Sequence, residues 1–432
     1  MVKMRNADIT KKIVTILFAV YAFLGNKPYF TWDTFEHGKF ANIVGVPIAT
    51  LVGVLSIGFV LLFILWRGAK IERRKFTLAA FVIILSFFTV LISGGSSHAL
   101  SMEWVFYIVV ALFVLLPDEY QKAAYNIYKS LFVLTLILPI IYYVLVHIGV
   151  QIPYDRLESY EPIKVSTLMY YKHYPLASQL TSQYVSELTE FRLSGIYDEA
   201  GRLGTLAGLF LVSERFELKG NWKNIIIFVA GVLSFSLAFW IFVVLFLVCW
   251  CFERGMLRRM WVLVGGLVCY FLFIQLDFSS IPGLARLQSR MLFIDGGLTG
   301  DNRASDAYNQ LFSSLFTMGL KPILFGNGFG SLGELQGDMI DGSSYKSLIF
   351  DYGFVGFAGQ IIWLAKAAFG QLKNRAINNI TQYILLFIAY LGNIYQRPTM
   401  MNFPFILIFI GGLVLQKERE TYAKKNRKKR NE

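Results

Sequence analysis

The stretch Asn224–Phe252 reads N-I-I-I-F-V-A-G-V-L-S-F-S-L-A-F-W-I-F-V-V-L-F-L-V-C-W-C-F. It carries no charge, and its only hydroxyl groups sit at the centre, in Ser234-Phe235-Ser236. An α-helix rises 1.5 Å per residue, so about 20 apolar residues cross the roughly 30 Å hydrocarbon core of a bilayer. The run is too long for one ordinary span and too short for two complete ones. We read it as two helices meeting at a polar break near the outer surface, with one long tilted helix as the alternative. Inside lipid, backbone polar groups must bond internally, and irregular backbone persists only where protein buries it or a wet cavity receives it. The break is therefore expected to belong to an internal site.

The rest of the chain has the same character. Hydrophobic residues make up 56% of the 432 residues and charged residues only 16%, against about 25% charged in average soluble domains. The apolar residues come in long blocks, not in the alternating segments of about 10 residues that a membrane β-barrel requires. The fold class expected is an all-α polytopic membrane protein with about twelve transmembrane helices. The spans fall near 12–25, 41–66, 76–93, 101–117, 130–150, 200–213, 224–235, 237–252, 260–275, 345–368, 379–396 and 402–416. They form a single integral membrane domain over 1–432 with no internal repeat. The basic start followed by Ile13–Gly25 reads as a retained first helix, not a cleaved signal.

Charge sets the orientation. The net charge is +13, but the basic residues cluster in short connections between apolar blocks, so no nucleic-acid partner is expected. Lys3, Arg5, Lys11 and Lys12 precede the first span, and Arg67, Lys70, Arg73, Arg74 and Lys75 follow the second. Arg254, Arg258 and Arg259 precede the ninth, and Lys373 and Arg375 lie between the tenth and eleventh. Counting spans puts all of these on one side with the basic tail 417–432, the cytoplasmic side by the positive-inside rule. Both termini are then cytoplasmic. Two long loops, 151–199 and 276–344, lie outside. Long loops of mixed composition in a compact chain are usually functional or disordered. Cys249, Cys251 and Cys269 fall inside apolar spans and read as small buried hydrophobes. The four histidines show no metal-ligand spacing, and no metal or cofactor is expected.

The residues able to carry chemistry gather at the outer face. Phe191–Gly208 holds Arg192, Asp198, Glu199 and Arg202 at the edge of an apolar span, with Gly195, Gly201, Gly204 and Gly208 between and after them. Ionisable groups there are costly unless paired or hydrated. The cluster is either an interfacial salt-bridge anchor or an anion site, in which arginine forks grip phosphate oxygens and Glu199 acts as a base or holds an arginine in place. The second loop adds Arg286, Arg290 and Arg303, the glycine-rich Phe325-Gly-Asn-Gly328-Phe-Gly330, then Ser343-Ser-Tyr345-Lys346 and Asp351-Tyr-Gly353. The glycine run is an ordinary turn or a nest of N–H groups around an anion, with Gly328 at its centre. Arg397, in Tyr395-Gln-Arg-Pro398, is a snorkelling anchor or a functional cation, and it sits outside against the charge rule. No P-loop, metal motif or Ser-His-Asp pattern is present. An enzyme with outer arginines and no nucleotide site needs a donor already activated in the membrane, such as a polyprenyl-pyrophosphate sugar.

Three local patterns resemble the O-antigen polymerase and O-antigen ligase superfamily. They are Arg192-Leu-Ser-Gly195 with Asp198-Glu199-Ala200-Gly201, where the family commonly has Pro at the Ala200 position; Ser234-Phe-Ser236 at a helix break; and Asp301-Asn-Arg303 through Phe325–Gly328 to Ser344-Tyr345 and Asp351-Tyr-Gly353. The resemblance implies a GT-C-like arrangement in a bacterial cytoplasmic (inner) membrane. It implies a metal-independent glycosyltransferase that joins polyprenyl-pyrophosphate-linked oligosaccharides into O-antigen (lipopolysaccharide), capsule or exopolysaccharide. Arg192, Glu199, Arg303 and Arg397 are the catalytic candidates. Arg202, Arg290, Tyr345, Gly195 and Gly328 are the substrate-binding ones. Membrane lipid, a chain-length regulator and a flippase are the implied partners. The family's ligases carry a histidine near the Ser343–Tyr345 position, and 276–344 has none. That favours a polymerase over a ligase. A polysaccharide flippase is the other alternative, which would normally show short loops and charges in mid-helix.

Overall fold

The computed structural model describes residues 2–32, 34, 42–43, 46–67, 71–92, 103–159, 169–182, 192–252, 256–294, 297–298, 305–336, 344–370 and 380–431. Arg303 and the Gly300–Asn302 stretch before it lie outside the described residues, as do Lys70, Arg254, Ser343, Lys373 and Arg375.

The structure is mostly helical, at 76%. The helices are α1 (Val2–Leu24), α2 (Ile48–Arg67), α3 (Arg73–Ser86), α4 (Glu103–Leu115) and α5 (Asp118–His147), then α6 (Ala200–Ser213), α7 (Trp222–Leu233), α8 (Leu237–Cys251), α9 (Met256–Gln275) and α10 (Pro282–Met291). There follow α11 (Asp306–Ser314), α12 (Leu320–Phe325), α13 (Ser331–Gln336), α14 (Tyr345–Phe369), α15 (Ile380–Gln396) and α16 (Phe403–Asn431). The long apolar run thus divides. α7 stops at Leu233, Phe235 takes a left-handed φ of 44°, and α8 starts at Leu237. The last helix runs on through the basic tail, since α16 continues to Asn431. Among the described residues two helices, α5 and α14, are long and apolar enough to cross a membrane, and α14 is kinked at Gly353. Seven shorter apolar helices accompany them, among them α6, α7 and α8.

Strands were not foreseen, and beside two-residue pairs elsewhere the described residues hold one larger sheet. β1 (Asp155–Glu158), β2 (Met169–Tyr174) and β3 (Ala177–Ser182) form an antiparallel sheet in the first long loop. Tyr174 pairs with Ala177 across a two-residue turn, Pro175-Leu176, in which Leu176 takes a φ of 58°. Proline presets the first turn position and a left-handed residue completes it.

The chain divides into two compact units. The first comprises 1–25, 46–128 and 303–432. Small residues bring its helices together: the Cα of Gly53 faces the Tyr21 ring and Val105, and that of Gly411 faces the Tyr125 ring. Ion pairs gather four helices at one end. Lys11 meets Glu119 at 2.7 Å, Lys75 meets Asp118 at 2.6 Å, Lys122 meets Glu418 at 2.5 Å, and Lys417 also meets Asp118. Asp118 and Glu119 sit in the first turn of α5, where the helix dipole favours negative charge.

The second unit comprises 26–45 and 129–302. Its centre is α6, buried at nearly every position from Leu203 to Ser213. Gly204 faces Ser234 and Ser236, and Gly208 faces the Phe242 ring, so α6 lies flush against the α7–α8 break and α8. Phe132 stacks on Phe210 at 5.2 Å. Cys249 and Cys251 are buried as expected, but Cys269 is exposed. It sits on α9, whose Trp261 (75%) and Phe271 (63%) are also exposed.

Candidate functional site

Two of the sequence patterns meet in the second unit. Arg192 donates from Nε to the Ser234 carbonyl at 3.1 Å, and the Leu193 N–H donates to the Leu233 carbonyl at 3.0 Å. The loop Arg192–Glu199 is thereby fastened to the α7–α8 break. α7 ends there because Ser234 turns its hydroxyl back to the Gly231 carbonyl, at 2.6 Å, and Phe235 leaves helical geometry.

The loop's other side rests on the sheet. The Ser178 N–H donates to the Gly195 carbonyl at 2.7 Å, and Ser194 Oγ donates to the Ser178 carbonyl at 2.6 Å. Tyr171 donates its hydroxyl to the Asp198 carbonyl at 2.6 Å, and the Tyr29 N–H reaches the Ile196 carbonyl at 2.9 Å. Gly195 takes a left-handed φ of 64°, which lets the chain reverse between these anchors. Tyr197 is fully buried, and burial pushes its phenol well above the usual range. It is a packing residue, set against Phe132.

Within the loop the charges sort themselves. Arg202 faces Asp198 with its fork, Nε to Oδ1 at 2.7 Å and Nη2 to Oδ2 at 3.0 Å, while Nη1 donates to the Asn26 carbonyl at 2.9 Å. Asp198 is thus a carboxylate that positions this arginine. Asp198 is fully buried, so the pair is structural cement for the first turn of α6. Glu199 is only half-buried and occupies the N-cap of α6 in extended conformation without a side-chain cap bond. Arg192 and Glu199 are thus the two ionisable groups of this loop that retain partial exposure without belonging to the Asp198–Arg202 pair. Arg290 lies in the last turn of α10, partly exposed. That helix is tied to α9 by Gln288, whose amide donates to the carbonyls of Phe273, Ile274 and Leu276 at 2.7–3.0 Å.

The first unit gathers the remaining patterns. The glycine-rich turn does form a nest of N–H groups, and the anion inside it is the protein's own. Asp351 accepts from the Gly330 N–H at 3.0 Å, the Leu332 N–H at 3.0 Å and the Ser331 hydroxyl at 3.1 Å. The Gly328 N–H is taken by the Asp351 carbonyl at 2.9 Å. Gly326 and Gly353 make the approach possible. A Cβ on Gly326 would lie 2.1 Å from the Asp351 carbonyl oxygen, and one on Gly353 2.2 Å from that of Leu324. Tyr345 stacks on Tyr395 at 6.0 Å and an interplanar angle of 27°. It thereby joins the start of α14 to the segment that carries Arg397. The Arg397 N–H continues the turn by donating to the Asn393 carbonyl at 2.7 Å, and Arg397 is partly exposed.

No known protein family, curated protein or solved structure matches this chain. The chemistry has to be read from the residues themselves. Among the described residues no group of three or more His, Cys, Asp or Glu is placed to hold a metal ion. Two features escaped sequence reasoning. Lys129 and Glu214 form a buried ion pair at 2.6 Å, to which the Asn221 and Asn224 amides also donate at 3.1 and 2.9 Å. Both charges stand flush with the boundaries of apolar spans, which is the signal that could have revealed them. Gln360 is the second. It is buried in α14, and neither its amide nitrogen nor its amide oxygen meets a hydrogen-bond partner.

Proposed function

We propose that this chain is a polytopic, GT-C-like glycosyltransferase of the bacterial cytoplasmic membrane. It polymerises polyprenyl-pyrophosphate-linked oligosaccharide repeats at the outer face. The observation that carries this reading is the meeting of Arg192–Glu199 with the Ser234–Ser236 break in one partly buried site. A broken helix with an arginine fastened to it is a costly arrangement unless it serves chemistry. Membrane insertion is supported by the apolar helices and by large apolar side chains exposed along them, such as Leu134, Phe271 and Ile362. The ion pairs at the α1, α3, α5 and α16 end support a common inner face, because charge bias assigns those same ends to the cytoplasm.

In this reading a sugar hydroxyl of one lipid-linked repeat attacks the anomeric carbon of another. The bond to pyrophosphate breaks, and the lipid pyrophosphate leaves with its electron pair. Arg192 stabilises the charge that develops on the leaving group, and Arg303 and Arg397 are the further arginines that the sequence offers for that duty. Glu199 takes the proton of the attacking hydroxyl. Tyr345 presents an aromatic face to a sugar ring.

Purified protein and synthetic lipid-linked repeats test this directly. Wild type should yield a ladder of polymers. Arg192→Ala, Arg303→Ala and Arg397→Ala should each lower the rate about 100-fold, the usual cost of one lost donor to a developing oxyanion. Wild-type rates in all three variants would remove the assignment.

A further inference from the structure

The second long loop carries a small layer of helices, α11 to α13, that folds onto the start of α14. Its core is Tyr308, Leu315, Leu332, Ile349 and Phe350, all buried. Tyr345 and Phe357 of α14 pack against the same core. These two residues are 12 apart in the chain, a distance of about 18 Å on a straight helix. Their ring centres nevertheless stand 6.0 Å apart. The chain therefore folds at Gly353, whose φ of 67° and ψ of 178° interrupt the helix. The layer thus lies beside the first turn of the apolar stretch 354–369, not beyond its end. Phe325 agrees with that placement, because it stacks on Phe88, in the turns that continue α3, at 6.4 Å and 10°. Phe354, Val355 and Ile362 present exposed apolar side chains along the stretch itself.

One part of the layer is left outside this core. Leu315–Thr317 forms a single 3-10 turn, Gly319 redirects the chain with a φ of 98°, and α12 begins at Leu320. In the tip so made, Phe316 is 52% exposed, Met318 42% and Leu320 70%. The polar residues of the tip are Thr317 and Lys321, both exposed. The core is filled without the three apolar side chains, so packing within the layer does not account for them. Water is a poor cover for such a run. Apolar side chains beside a cation are the composition of a segment that lies in a membrane interface, where a lysine stem follows apolar surface while its ammonium reaches the headgroups. α12 has six residues and ends at Gly326 against the Asp351 carbonyl, which puts the tip within about 10 Å of the fold at Gly353. Lipid that covers Phe354 and Val355 is within reach of the tip.

We propose that the tip Phe316–Lys321 dips into the bilayer beside α14, with Phe316, Met318 and Leu320 among acyl chains and the Lys321 ammonium at a lipid phosphate. The proposal rests on α14 being a membrane helix, not on the polymerase chemistry. Its partner is the bilayer and not the polyprenyl carrier, because selecting one carrier chain needs walls, and the space around Gly319 is open. The anchor sets the height of the layer that holds Tyr345 and the Asp351 nest.

The test uses full-length Cys269→Ser protein in phosphatidylcholine nanodiscs, with a nitroxide at Phe316→Cys, Met318→Cys or Leu320→Cys. Ser313→Cys on α11 and Ile362→Cys on α14, both exposed, are the references. Collisions with oxygen and with a water-soluble nickel chelate should place the three tip labels about 5–10 Å below the phosphates. Ser313→Cys should read water and Ile362→Cys deep lipid. F316S/L320S should move the Met318→Cys label into water, with melting and the Ile362→Cys depth unchanged. Water at all three tip positions, with Ile362→Cys deep in lipid, overturns the proposal and leaves the membrane reading standing. Water at Ile362→Cys overturns both. Tip labels shielded from oxygen and nickel alike show a second copy or another protein over the tip, and immersion only after polyprenyl phosphate is added assigns the tip to the carrier. Either result overturns the proposal, as does an unchanged Met318→Cys depth in folded F316S/L320S. Immersed tip labels in a protein that makes no polymer leave the anchor standing and remove the polymerase reading.

Discussion

Asp198 and Glu199 are adjacent carboxylates with opposite duties, and the difference lies in what each touches. Asp198 is buried and receives the Arg202 fork, and its carbonyl holds Tyr171. Removing one partner of a buried pair leaves the other charge uncompensated, at a cost of about 3–5 kcal/mol. Asp198→Ala should therefore lower the melting temperature sharply and take activity down with it. Glu199 is only half-buried, so the isosteric Glu199→Gln should cost less than about 1 kcal/mol, while polymer synthesis falls at least about 100-fold. Equal destabilisation by the two, in denaturation of detergent-solubilised protein, would make Glu199 a second structural anchor. The sequence signalled this cluster well, because Arg192, Asp198, Glu199 and Arg202 stand where an uncommitted charge is costly. It did not signal which carboxylate holds which arginine. Asp198 and Glu199 both lie within reach of Arg202 by spacing alone, and burial decides between them.

At the scale of elements, the apolar helices and the Ser234–Ser236 break were legible, whereas the helices α10–α13 within 276–344, read as a long loop, and the sheet were not. Blocks such as Ala200–Ser213 and Leu237–Cys251 are apolar at nearly every position, so their ends are marked by the first polar residues. The sheet was hidden because Met169–Tyr174 is M-Y-Y-K-H-Y, with no strict alternation of polar and apolar residues. Its faces divide a packed aromatic side from an aromatic-cationic one, and both contain tyrosine. The α12–α14 junction was hidden for another reason: a glycine-rich turn has no side chain to declare what it touches. There the backbone crosses backbone, with Gly326 against Asp351 and Gly353 against Leu324. Both glycines also have left-handed φ, 79° and 67°. Gly326→Ala and Gly353→Ala should each cost well over about 1 kcal/mol, since strain and collision act together. The double variant should cost less than the sum, because either methyl group opens the same crossing. Gly319→Ala is the control. Its φ is 98° but no atom stands in the way of a methyl group, so it should lose only the backbone contribution. Thermal melting of the four proteins reads the difference, and a strictly additive double variant would separate the two glycines into independent sites.

Over the whole molecule, one expectation governs all the others: the first long loop and the basic tail lie on opposite sides of the membrane. Arg192 and Glu199 can meet a lipid-linked sugar only from outside. Lys122 with Glu418, and Lys75 and Lys417 with Asp118, collect charges at the end that the positive-inside rule assigns to the cytoplasm. Single cysteines report the side. Tyr154 is exposed beside β1, and Tyr422 is 67% exposed on the last turns of α16. Cys249 and Cys251 are buried, while Cys269 is exposed, so Cys269→Ser supplies a quiet background. In intact cells a membrane-impermeant maleimide should label Tyr154→Cys within minutes and leave Tyr422→Cys unlabelled until the membrane is opened. The opposite pattern would put the site on the side where sugar nucleotides, not lipid-linked repeats, are the available donors, and the lipid-donor chemistry would fall with it. Labelling of both positions from outside would place an even number of crossings between them. The divided run Asn224–Phe252 would then be the first place to look, because α7 and α8 taken together as a single broken crossing, not two, change that parity.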